Sequence, residues 1–162
     1  MLDFFRADCQ YPPFSDASFG LCDDGKATRA YPDNNEPDKW IATVNNADGV
    51  NVVVTAVDKC VFRDDEYVGR RRCDVMLTAE KLLYLVELKD CDPPWQSEAI
   101  EQLKSTIQFL MGTHNIDRFT KRKAFACNKR RNRFVAIDNE ENITFFQQTT
   151  FRLDIQTDIL II

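Results

Sequence analysis

Two acids and a lysine stand where two apolar runs end, in "CDVMLT" and "LLYLVELKD". If these runs form a hairpin about the "TAEK" turn, pairing Thr78 with Leu82 or Leu83 sets Asp74 opposite Val86 or Glu87. Glu87 and Lys89 are two residues apart, so strand alternation points both to one side. Three charged groups then meet at one end of a sheet. Adjacent carboxylates repel unless a cation sits between them, and an oxygen-rich site of this kind suits Mg²⁺ or Mn²⁺. Such an ion keeps positions for a phosphate oxygen and a water, acting as Lewis acid, while a neighbouring lysine orients that water and stabilises the charge that develops on phosphorus. The chemistry is hydrolysis of a phosphodiester.

Asp74, twelve intervening residues and then Glu87-Leu88-Lys89, on two successive strands followed by a helix, resembles the PD-(D/E)xK signature of the restriction-endonuclease-like superfamily. The resemblance covers Arg70 to about Cys127. It implies a mixed sheet with flanking helices and divalent-metal-dependent cleavage of nucleic acid, with Asp74 and Glu87 as metal ligands and Lys89 catalytic. Gln102, in "EQLKST", is similar to a glutamine that RecB-like members carry in the next helix. Cys73 stands in place of the motif's proline. The family also takes an acid from an N-terminal helix, and no such helix is evident; Asp58, which closes "VVVTAV", is the preferred substitute, ahead of Asp64, Asp65 and Glu66.

Other mechanisms lack their residues. The single histidine, His114, leaves no room for Ser-His-Asp triads, H-N-H nucleases or H-E-x-x-H metalloproteases, and with five glycines neither phosphate-binding glycine motif is present. Six cysteines without a C-x-x-C pair suggest small core residues, neither a zinc site nor a disulfide framework, with contact between Cys60 and Cys73 left open. The opening "MLDFFRADCQ" does not read as a secretory signal and no apolar stretch approaches a membrane span, so the expected compartment is the cytoplasm.

The net charge of −5 hides a division. Residues 1–66 hold 13 acids and 6 bases, whereas Asp117 to Arg133 hold 8 bases and 1 acid. Arg118, Lys121, Lys123, Lys129 and Arg131 in the second segment, with Arg70 and Arg72 before Asp74, are the candidate contacts to a nucleic-acid backbone. The bland reading is a solvated, aggregation-resistant strand.

Positioning these groups requires a scaffold. The 162 residues fit one domain, in which 1–39, rich in turn formers and acids, read as an irregular acidic arm and 40–162 as the nuclease-like core. "KWIATV", "VNVVVTAV", "RRCDVMLT" and "LLYLVELK" read as a meander, and "QSEAIEQLKSTIQFLMG" as one amphipathic helix with Ile100, Leu103, Ile107 and Leu110 inward, Ser97 as cap and Gly112 as its end. Trp95 reads as a packing anchor ahead of it. "KRKAFACN", "RFVAID" and "ITFFQQ" read as further strands, with "DNEEN" as a hairpin turn and "TDILII" as a last strand or tail. The expected class is α/β (α+β): a central mixed sheet, one main helix and a restriction-endonuclease-like core.

The expected function is a Mg²⁺- or Mn²⁺-dependent nuclease acting on DNA ahead of RNA, with homodimerisation or a separate targeting subunit as the route to cutting both strands. The alternative is a non-catalytic binding protein on the same scaffold, such as an immunity or antitoxin protein whose acidic arm captures a basic toxin.

Overall fold

The structure is a computed structural model that describes residues 2–25, 28–63, 72–130 and 139–162. Its centre is the run that carries Glu87. Residues 82–88 are buried on both sides of the strand, the signature of a strand covered on both faces. This strand, β6 (Leu82–Lys89), occupies the middle of a five-stranded mixed sheet. The chain enters it through β4 (Val53–Ala56) and β5 (Val75–Ala79), an antiparallel meander with β6, and leaves through the parallel strands β7 (Lys121–Asn128) and β8 (Arg152–Ile155).

A parallel neighbour needs a crossover, and helix α1 (Gln96–Thr113) supplies it between β6 and β7. Ile100, Leu103, Ile107 and Leu110 are all buried, as the 3.6-residue period requires. They pack on Leu83 and Leu85 from one face of β6 and on Ala124 and Ala126 from β7. Trp95 is buried and occupies the cap position itself, without a side-chain cap bond, and the helix runs through Gly112 to Thr113. The opposite face of β6, with Leu82, Tyr84, Val86 and Leu88, joins a second core.

That second core corrects the expected architecture. Residues 1–39 are not an irregular arm: β1 (Ser18–Cys22) and β2 (Tyr31–Asp33) join β3 (Ala42–Asn45) and β9 (Asp158–Leu160) in a second sheet of order β2-β1-β3-β9. Phe19, Leu21 and Val44 cover the far face of the five-stranded sheet. The expected single sheet is therefore two, stacked with helices on one outer side, and "KWIATV" belongs to the second sheet rather than to the meander. The general α+β class holds.

A second helix, α2 (Asn139–Thr149), replaces the strand expected at "ITFFQQ" and the hairpin turn expected at "DNEEN". Its β-branched and aromatic residues favour a strand locally, but Phe145 and Thr149, one helical turn apart, are the positions that become buried, so packing overrides propensity. The expected strand "RFVAID" lies outside the described residues.

The cysteines bring another correction. Cys9 and Cys60 form a disulfide across 51 residues, while Cys22, Cys73, Cys91 and Cys127 are free. Cys73 is buried and does not pair with Cys60. Stable disulfides belong to oxidising compartments or to redox-switched proteins, which pulls against the cytoplasmic expectation. Among the described residues no helix is long and apolar enough to cross a membrane.

Candidate functional site

The hairpin register decides whether the acids meet. Thr78 pairs with Leu83 and Val75 with Val86, so the next cross-strand position sets Asp74 against Glu87. One backbone bond and one to the side chain extend the pairing to this level: Asp74 N donates to Val86 O at 3.2 Å, and Leu88 N donates to the Asp74 carboxylate Oδ2 at 2.7 Å. Strand alternation places Glu87 and Lys89 on the α1 face, the second opposite Asn128 and the first opposite Ala126, whose methyl group is the smallest side chain that can flank it.

Glu87 is only 2% exposed, with its Oε2 3.2 Å from Lys89 Nζ. Lys89, at the rim, also reaches Glu98 Oε1 on α1 at 3.4 Å. The two carboxyls lie close enough for each to act on the other's ionisation. Burial, with the neighbouring Asp74 charge, pushes Glu87 well above the usual carboxylate range; burial likewise lifts Asp74 to about 6, against the opposing influence of Glu87 and the hydrogen bond from Leu88. Desolvation works to lower Lys89, but the Glu87 and Glu98 charges outweigh it and the ammonium is held above its ordinary value. The site is a buried acid pair whose surroundings favour the protonated form, with a cation at its mouth.

Three buried side-chain oxygens in the described residues have no hydrogen-bond partner: Thr55 Oγ1, Glu87 Oε1 and Gln102 Oε1. Burying a carboxylate oxygen unsatisfied is costly, so the position of Glu87 Oε1 asks for a proton, a water or a cation. Gln102 sits on α1 over the start of β5, where its Nε2 donates to Arg72 O at 3.4 Å. One turn on, Thr106 Oγ1 accepts from Cys73 N at 2.7 Å and donates to Gln102 O at 2.8 Å. This pair on α1 holds the segment that delivers Asp74.

The remaining expected residues disperse. Asp58 is close enough for its charge to raise Asp74, yet its carboxylate is bound to Arg72 Nε at 3.0 Å. No group of three metal-ligating acids, histidines or cysteines forms among the described residues. Arg72 is further occupied by Arg63 O and the Phe62 ring. The basic segment is not one edge, because it flanks an interior strand. Lys121 and Lys129 are eight residues apart along the chain of β7, roughly 26 Å. Lys121 donates to Ile162 O, Lys123 pairs with Asp154, Lys129 donates to Asp38 O, and Arg118 lies over Phe119 and Phe5. Of these, Lys129 stands at the end of the sheet that carries Lys89, whose carbonyl accepts from Lys129 N. Arg70, Arg131, Asp64, Asp65 and Glu66 lie outside the described residues.

One acid was not legible. Asp23, just past β1, raises Asp74 electrostatically and lines a cleft of about 230 Å³ with Gly25, Ile41, Lys59, Leu88 and Asp90. It reads in sequence as part of the "CDDGK" turn, and only the second sheet brings it to the end of β6. His114 joins Asp3 Oδ1 at 3.2 Å between Phe4 and Phe5, away from the acid pair. A scan of the chain against protein-family models matches none, and comparison with curated proteins and with solved structures returns no significant match.

Proposed function

We propose that the chain is a divalent-metal-dependent phosphodiesterase of nucleic acids, DNA ahead of RNA, on a restriction-endonuclease-like core. The observation that carries the reading is the buried Asp74 and Glu87 pair with a partnerless Glu87 Oε1 and Lys89 at 3.2 Å. The β4-β5-β6-α1-β7 order, three antiparallel strands and then a parallel one, supports the same scaffold.

The donor set fits Mg²⁺ or Mn²⁺: one or two carboxylates are the usual protein share of a Mg²⁺ site, the rest coming from water and substrate phosphate. Asp74 and Glu87 would hold the ion, and when bound it supplies Lewis acidity toward the phosphate and neutralises the acid pair. Lys89 stays protonated between Glu87 and Glu98, so it orients the attacking water and stabilises negative charge on the phosphate rather than serving as base. Gln102 and Thr106 keep the start of β5 in place.

A second reading has its own support. At this end of the sheet Asp23, Asp58, Asp90, Asp92 and Glu98 accompany the pair, and Arg130 is spent on Asp90 and Asp92. So acidic a rim suits a basic protein partner, as an immunity or antitoxin protein would require.

Cleavage of supercoiled plasmid, linear duplex, single-stranded DNA and RNA with Mg²⁺ or Mn²⁺, beside EDTA controls and Lys89→Ala, separates the two. Metal-dependent cutting lost in the variant is the expected result. Equal inertness of both proteins on every substrate sinks the nuclease reading and leaves the acidic rim as a partner surface.

A further inference from the structure

The turn after β4 touches both the disulfide and the acid pair. Val57 N donates to Asp74 O at 2.9 Å, Asp58 binds Arg72 two residues before Asp74, and Cys60 is bonded to Cys9. The turn is closed by Phe62 N donating to Val57 O at 3.0 Å. At its tip Lys59 has φ 66°, a left-handed conformation that a lysine holds only when its surroundings enforce it. The enforcing contacts are the neighbouring disulfide and Lys59 Nζ, which donates to Gly25 O at 3.1 Å and Thr28 O at 3.2 Å in the loop that carries Asp23.

The bond is reachable from one side. Cys9 is fully buried, whereas Cys60 is partly exposed, and Arg29 Nη1 lies 2.9 Å from Cys60 Sγ and 3.2 Å from Asp8 O. We infer that Cys9–Cys60 is a redox latch: its reduction releases the Val57–Phe62 turn and thereby loosens the backbone that positions Asp74 against Glu87. The reductant is a dithiol. One of its thiolates attacks Cys60 Sγ, forming a mixed disulfide as the Cys9 sulfur leaves and takes a proton; its second thiolate then displaces Cys60 Sγ. The dithiol is oxidised by two electrons to a cyclic disulfide, and the Cys60 thiolate is left facing the Arg29 guanidinium, which stabilises it.

The latch acts on the acid pair whatever substrate the pair serves, so its test reads the pair and not cleavage. Amide exchange is followed by NMR in oxidised protein, in protein reduced with dithiothreitol, and in Cys9→Ser. With the bond open, Val57 and Val75 amides exchange tenfold faster or more relative to those of β7 and β8, and reoxidation restores them. Unchanged exchange at these residues would overturn the latch. So would acceleration at Val57 and Val75 no greater than that of the β7 and β8 amides, which would mark the bond as a global staple only.

Discussion

Replacing Asp74 by asparagine tests the acid pair without any substrate. Asparagine keeps the acceptor for Leu88 N and the shape of the side chain while removing the charge. The folded protein holds the Asp74 proton to about pH 6, whereas an unfolded aspartate releases it near its ordinary value of 3.8. Between these values the native state binds more protons than the unfolded state, so stability falls as pH rises. This contribution is fully present below 3.8, is lost through pH 6, and amounts to about 3 kcal/mol at 1.36 kcal/mol per pH unit. Urea unfolding of wild type and Asp74→Asn at intervals between pH 4 and 7.5 reads it together with the release of Glu87 from the Asp74 charge, while the acids held below their ordinary range, Asp3, Asp8 and Asp33, cancel in the difference. The two proteins should be close to equal at pH 4, and the variant should be more stable by about 3 kcal/mol at pH 7.5. A difference that stays flat across the range would refute the buried pair.

Thr106→Val strips the acceptor from the buried Cys73 N, so it should cost about 1–3 kcal/mol in urea unfolding and broaden the Asp74 backbone resonances. Cys9→Ser opens a 51-residue loop worth roughly 4 kcal/mol of chain entropy, and calorimetry should show Tm lower by roughly 8–16 °C. Gly20→Ala drives a methyl group into the Trp40 ring packed on β1, and a loss of about 1–3 kcal/mol with a shifted Trp40 fluorescence is expected.

Local chemistry was legible wherever partners are near in sequence. The "TAEK" turn is short enough that alternation alone narrows the register to two choices, one of which brings Asp74 to Glu87, and the Ile100-Leu103-Ile107-Leu110 stripe needs no tertiary knowledge. The second sheet was not legible because its pairings are distant: β3 lies between β1 and the chain-terminal β9. A five-residue strand amid turn formers carries no signal of its own until those partners arrive. Asp23 was hidden for the same reason, and Cys9 with Cys60 because no spacing pattern announces a lone bridge. The basic segment misled because its alternating charges look like one ridge in sequence, while β7 sends them to opposite ends of an interior strand.

The central claim is that Asp74 and Glu87 hold a divalent cation, and Mn²⁺ titration at pH 7.5, followed by calorimetry and by the loss of the free-ion paramagnetic signal, tests it directly. One Mn²⁺ per chain should bind to wild type, raise its stability by about 1.4 kcal/mol at tenfold excess over Kd, and leave Asp74→Asn unaffected. Binding that survives Asp74→Asn, or no binding to wild type, would contradict the account.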